Sequence, residues 1–270
     1  MDWQERRRAA ATLRECRQAL ASRGSTVVAE VVGGEPRVDW RHYPDGEVYD
    51  PHSHAQYFYH AHPAATAAKA AVSPDHGHFH LFLRGEGIPP GMMPLLLPEQ
   101  AVAKAAAQPP PSRRSTPLKR GMRDEVCHLV AIAVDPRGEP VRLLATNRWV
   151  TGETWYRADD VIAMLDRCRL APDGKWGLVN RWLGAVLCLF RPEIAALLQQ
   201  RDKAVLERRW RWRTNVLEDP RLETAASIAI DLDARLLTVE AESAAVAGEP
   251  TAAGLPPRLH LPRMAEGWGT

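Results

Sequence analysis

The sequence predicts an α+β protein: an antiparallel sheet that carries a histidine-rich face and is packed by helices drawn mainly from the C-terminal half. Three observations carry that prediction. QYFYHAH at 56–62 and HFHLFLR at 78–84 are short runs rich in aromatic and apolar residues with strand-like alternation. CHLVAIAVD, a turn at PRGE and VRLLATN make an antiparallel hairpin pattern over 127–147. From position 158 onward the chain becomes helical in its spacing.

Taken in order, residues 1–24 form an amphipathic helix, because Trp3, Ala10, Leu13, Cys16 and Leu20 recur at helical intervals. STVVAEVV at 25–32 is rich in β-branched residues and reads as a strand, broken by GGEP. DWRHYPDGEVYDPHSH at 39–54 is dense in Pro, Asp and Gly and reads as a loop with a turn at PDG. PAATAAKAAVSPD at 63–75 has room for one or two helical turns before the strand at 78–84. Residues 85–124 are proline-rich and read as a mobile excursion.

ADDVIAMLDRC opens a helix on a carboxylate-rich first turn. Further helices are expected at about 178–190 and from Pro192, a favoured first-turn residue, toward Trp212. SIAIDLDARLLTVE at 227–240 reads as a return to strand. Residues 25–240 then make a single domain, and 241–270 a poorly ordered tail.

Composition narrows the function classes. The chain has 270 residues, 45% hydrophobic and 25% charged, as in an ordinary globular protein. A net charge of +2 disfavours a general nucleic-acid binder. Cys16, Cys127, Cys168 and Cys188 show no CxxC pairing, which argues against thiolate zinc and a disulfide scaffold. The N-terminal segment has no apolar core of the signal-peptide kind, and the longest apolar run, LGAVLCLF at 183–190, is too short to cross a membrane. The expectation is a cytoplasmic protein acting on a small molecule, without a membrane.

Eight of the ten histidines lie between positions 42 and 80. On a strand every second side chain shares a face, about 6.5–7 Å apart. His60 and His62 therefore share one face, and so do His76, His78 and His80. Antiparallel pairing of the two segments would set His60 near His78 and His62 near His76. Neutral imidazole is a common ligand for Zn, Fe and Cu, so a transition-metal ion is the expected cofactor. His60, His62, His78 and His80 are its expected ligands, with His76 as an optional member. Asp75 and Tyr59 are the expected catalytic side chains, and Tyr57, Phe58, Tyr59 and Phe79 an aromatic wall.

TNRWVTGETWY after the second hairpin strand suggests a substrate-facing loop, with Arg148 and Trp149 joining Tyr57 as substrate-binding residues. His42, His52, His128 and His260, each taken alone, read as ordinary polar groups. The expected chemistry is hydrolysis or oxygen-dependent redox on a small molecule. HFHLFLR also fits the His-apolar-His pattern of HUH nucleases, which hold a divalent cation beside a nucleophilic tyrosine, and a non-catalytic metal-binding module is a third reading. In RRWRWR at 208–213, Trp210 and Trp212 are expected to pack while the arginines face water.

HYPDGEVYD, QYFYHAH, HGHFHLFLR and TNRWVTGETWY together resemble a family of bacterial proteins without an assigned activity. The resemblance spans about 40–239. It implies a recognisable domain and transfers no catalytic residue.

Overall fold

The computed structural model describes residues 2–34, 36, 38–61, 75–97, 125–212 and 215–248. Among the described residues, six strands form one antiparallel sheet in chain order: β1 (Tyr43–Tyr49), β2 (Ala55–Ala61), β3 (Gly77–Arg84), β4 (Val126–Val134), β5 (Pro140–Thr146) and β6 (Thr224–Ala229). Seven α-helices accompany it among the described residues: α1 (Trp3–Ser22), α2 (Val27–Val32), α3 (Arg148–Thr151), α4 (Ala158–Met164), α5 (Gly177–Leu189), α6 (Arg191–Trp212) and α7 (Leu232–Gly248). The chain is α+β, as expected. No single helix among the described residues is long and apolar enough to cross a membrane.

The main core lies on one face of the sheet. Tyr57, Tyr59, Phe79, Leu81, Leu83, Leu129 and Ile132 pack there with Leu13 and Cys16 of α1, Trp182 of α5 and Leu197 of α6. Alternation along β2 and β3 therefore sends Phe58, His60, His78, His80 and Phe82 to the opposite face. The register runs unbroken from Ala55↔Leu83 to Ala61↔Gly77. A one-residue slip would drive histidines into the core, so burial of Tyr57, Tyr59, Phe79 and Leu81 holds the histidines in place.

Several local expectations are corrected. STVVAEVV holds a helix, not a strand. The Thr26 hydroxyl accepts from the Ala29 N–H at 3.1 Å, and Gly33 ends the helix at φ 73°. Val27, Val28 and Val31 are buried at helical spacing, and that packing outweighs their β propensity. HYPDGEVYD is an edge strand rather than a loop, because Tyr43 pairs with Tyr59 and Val48 with Tyr57. Its PDG turn survives as a bulge, with Gly46 and Glu47 at φ 81° and 59°.

SIAIDLDARLLTVE stops being a strand at Ala229, and α7 begins at Leu232. Asp231 caps it by accepting from the Ala234 N–H at 2.9 Å, and Leu232, Leu236 and Val239 are buried at helical spacing. The helix carries residues 241–248 of the expected tail, and residues beyond 248 lie outside the described residues. So do the helical turns expected within 63–74 and most of the Pro-rich excursion. The described part of that excursion is tied down: the Leu95 N–H donates to Trp155 O at 2.8 Å, and Leu97 is buried.

The tryptophans of RRWRWR do not pack. Trp210 and Trp212 are 82% and 54% exposed. The face of α6 that buries Ile194, Leu197, Leu198, Arg201 and Val205 continues through Arg208, which bonds to Asp219. Trp210 lies away from that stripe.

Candidate metal centre

The centre is built where β2 and β3 pair. His60 faces His78 directly, and their Nε2 atoms are 3.0 Å apart. His80, two residues further along β3, closes a triangle, with ring centroids 4.6 Å from His78 and 5.0 Å from His60. One nitrogen from each of the three rings falls within 4.8 Å of the others. His78 and His80 are 8% and 1% exposed. His60 is half-buried and lies on the side of β1, near Trp40 and His42.

The donor set fits a transition ion. Two nitrogens on one tetrahedral Zn²⁺, each at about 2.0–2.1 Å, stand about 3.4 Å apart. The 3.0 Å between His60 and His78 needs to open by only a few tenths of an ångström. Three imidazoles leave a fourth position open, the pattern of a metal that also meets a substrate or solvent.

Electrostatics favours neutral rings. Burial lowers the His80 pKa well below its ordinary value, and the neighbouring His78, His128, His60 and His42 rings push it the same way. His128 is lowered to about 3, by burial first and Arg201 second. Neutral imidazoles keep a lone pair for a metal, so a cation meets little competition from protons there.

His128 is the residue that the sequence reading passed over. Its Nε2 lies 3.1 Å from His80 Nδ1, and its Nδ1 lies 3.3 Å from Thr146 Oγ1. Strict alternation along β4 would place it with Val130 and Ile132, which face Leu81 and Phe79 on the core side. The β3–β4 register instead shifts between Leu81 and Phe82. Leu129 and Val130 both join the core, and His128 pairs with Phe82 on the histidine face. A bulge has re-aimed the side chain.

Glu153, from the TGETWY segment, stabilises that bulge by accepting the His128 N–H at 2.7 Å. It is 1% exposed, and burial raises its pKa to about 7 against the opposing pull of Arg201 and the His128 N–H. Only the combination of a carboxylate following the hairpin and a histidine on the preceding strand could have pointed to this pair.

The remaining expected residues fall elsewhere. His76 precedes β3, and its Nδ1 lies 2.8 Å from the Tyr59 hydroxyl, so it does not join the triad. The chain at Asp75 and His76 has left the strand, and its alternation no longer applies. His62 lies outside the described residues. Tyr57 and Tyr59 point to the core side, where Tyr57 donates to Asn180 at 2.8 Å, so neither lines the histidine face.

Phe79 also faces the core, against Trp182, whereas Phe58 stands between His42 and His80 on the histidine face. Asp75 is an ion-pair partner of Arg142 at 3.7 Å and is not among the grouped metal donors. Arg142 lies in the cross-strand row of His60 and His78, beyond Ala133. Arg148 donates to Glu153 O and pairs with Glu218, which makes it a brace of the loop. Trp149 is 46% exposed beside it.

The fold and this face define an α+β protein whose antiparallel sheet gathers imidazoles on the side away from its main core. Residues 7–230 match the model of a domain of unknown function, DUF6969, and the chain belongs to that family. No curated protein and no solved structure matches it.

Proposed function

We propose that this protein binds a first-row transition-metal ion through His60, His78 and His80 and uses it in chemistry on a small molecule. The observation that supports this is the convergence of three imidazole nitrogens within 4.8 Å on one face of the sheet. Several close imidazoles repel one another when protonated, so such a cluster is unfavourable unless the rings stay neutral or a cation joins them.

A metal held there would supply a Lewis acid with a position open to substrate. The protein's own contribution is a scaffold that keeps His80 neutral and buried. Phe58 and Phe82 flank the His80 ring as apolar walls. The half-buried His60, near Trp40 and His42, marks the side from which a substrate reaches the ion.

The nuclease reading requires a tyrosine hydroxyl at the His78/His80 pair. Tyr57, Tyr59 and Tyr156 direct theirs to Asn180, His76 and Glu125, and Tyr43 and Tyr49 theirs to Val38 N–H and His54. A small-molecule reaction suits the face better.

The test is elemental analysis of protein purified without a histidine tag, beside a His78→Ala/His80→Ala double variant. The expected result is close to one equivalent of a transition metal in the wild type and its loss in the variant. Equal trace metal in both would refute the proposal.

A further inference from the structure

We infer that His128 is the positioning residue of this centre: it accepts a hydrogen bond from His80 Nδ1–H, so that His80 offers Nε2 to the metal. The inference rests on the metal reading above and extends it to a residue outside the ligand triad.

A neutral imidazole has one donor nitrogen and one acceptor, and which is which follows from the hydrogen bonds around it. His80 Nδ1 is committed to His128 Nε2 at 3.1 Å, which leaves Nε2 as the nitrogen available to a metal shared with His60 and His78. For Nε2 to carry a lone pair, the proton must sit on Nδ1 and be donated to His128. His128 then holds its own proton on Nδ1 and donates it to Thr146 Oγ1, 3.3 Å away. The reverse array would place a proton on His80 Nε2 and close it to a metal. One ring therefore selects the tautomer of the next.

The backbone is arranged to hold this relay. Without the β4 bulge, His128 would point into the core on the other side of the sheet. The bulge brings it beside His80, and Glu153 takes up its N–H. All four residues, His80, His128, Thr146 and Glu153, are buried, so solvent does not compete for these bonds. Histidine ligands elsewhere commonly donate their second N–H to an orienting acceptor, and losing that acceptor costs roughly 10–100-fold in metal affinity. Here the acceptor is a second imidazole.

Two measurements test the inference. Nitrogen-15 NMR of the imidazole rings in metal-free protein is expected to show His80 protonated on Nδ1, and His128→Leu is expected to shift that proton toward Nε2. Titration with Co²⁺, followed by its visible absorption, is expected to show binding weakened by roughly 10–100-fold in His128→Leu. His128→Gln, whose amide oxygen can accept the same bond, should restore most of the affinity. Thr146→Val, which keeps the volume, should weaken binding less and serves if His128→Leu does not fold.

His80 protonated on Nε2 in the wild type, or Co²⁺ affinity unchanged in His128→Leu, would overturn the inference. Failure of the wild type to bind Co²⁺ would overturn the metal reading instead. The ring NMR would still decide the direction of the His80–His128 bond.

Discussion

Moving the metal-free protein from about pH 7.5 to about pH 5 should cost it roughly 2 kcal/mol through His128 alone. The folded ring is held at about 3, whereas a solvated imidazole titrates near 6.5. At about pH 5 the unfolded chain takes up a proton that the folded ring refuses, so stability is lost as pH falls below about 6.5. His80, lowered for the same reason, adds to the loss.

Glu153 works in the opposite sense. Its folded value of about 7 lies above that of a solvated carboxylate, so the fold gains on acidification. That gain is about 2 kcal/mol over the same interval. The wild type alone therefore shows only the difference between these effects.

The informative quantity is the comparison with His128→Gln, which removes the titrating ring and keeps the backbone N–H that Glu153 accepts. Urea unfolding at both pH values, for both proteins, should show the variant gaining on the wild type by about 2 kcal/mol on acidification. An identical pH dependence in the two proteins would refute the account of His128 as a buried neutral ring.

Three further outcomes are expected. Glu153→Gln should stabilise the protein at about pH 8 by up to roughly 3 kcal/mol and change little near pH 4.5, because it removes a carboxylate that must ionise while buried. A thermal-melt series across that range checks it, and a variant less stable at the alkaline end would count against the raised carboxyl. Gly77→Ala should destabilise by roughly 1–3 kcal/mol and disturb the His60/His78 pair. Its Cβ would sit only 2.4 Å from His60 O and the Tyr59 hydroxyl. Denaturation midpoints together with metal content read both effects. Asp231→Ala should cost about 1 kcal/mol by uncapping α7, with metal binding unchanged.

Much of the centre could be read from local pattern. His60 opposite His78, with His80 beside them, followed from alternation in two strands and the assumption that they pair. Apolar burial on the other face enforces both conditions. The same reasoning failed where a local rule met a break. His76 stands just outside β3 and turns to Tyr59. Tyr57 and Tyr59 share a strand with His60, but alternation sends them through the sheet to the core, so sequence proximity misplaced them beside the histidines.

Two of the misread segments show the same limit. STVVAEVV and IDLDARLLTVE carry β-branched residues that suit a strand. A Thr26 cap, an Asp231 cap and helically spaced buried side chains made them helices. Propensity is worth a few tenths of a kcal/mol per residue, and packing of an apolar face is worth more.

By itself the sequence determined the α+β class and set His60 opposite His78 with His80 beside them, within a wider expected ligand set that also held His62 and His76, because these depend on period-two alternation within single strands. The tertiary structure alone decided that His128 joins them. Its place depends on a bulge in β4 and on Glu153, 25 residues further along the chain, accepting its N–H. A register shift is a property of two paired strands, and no alternation within one of them can reveal it.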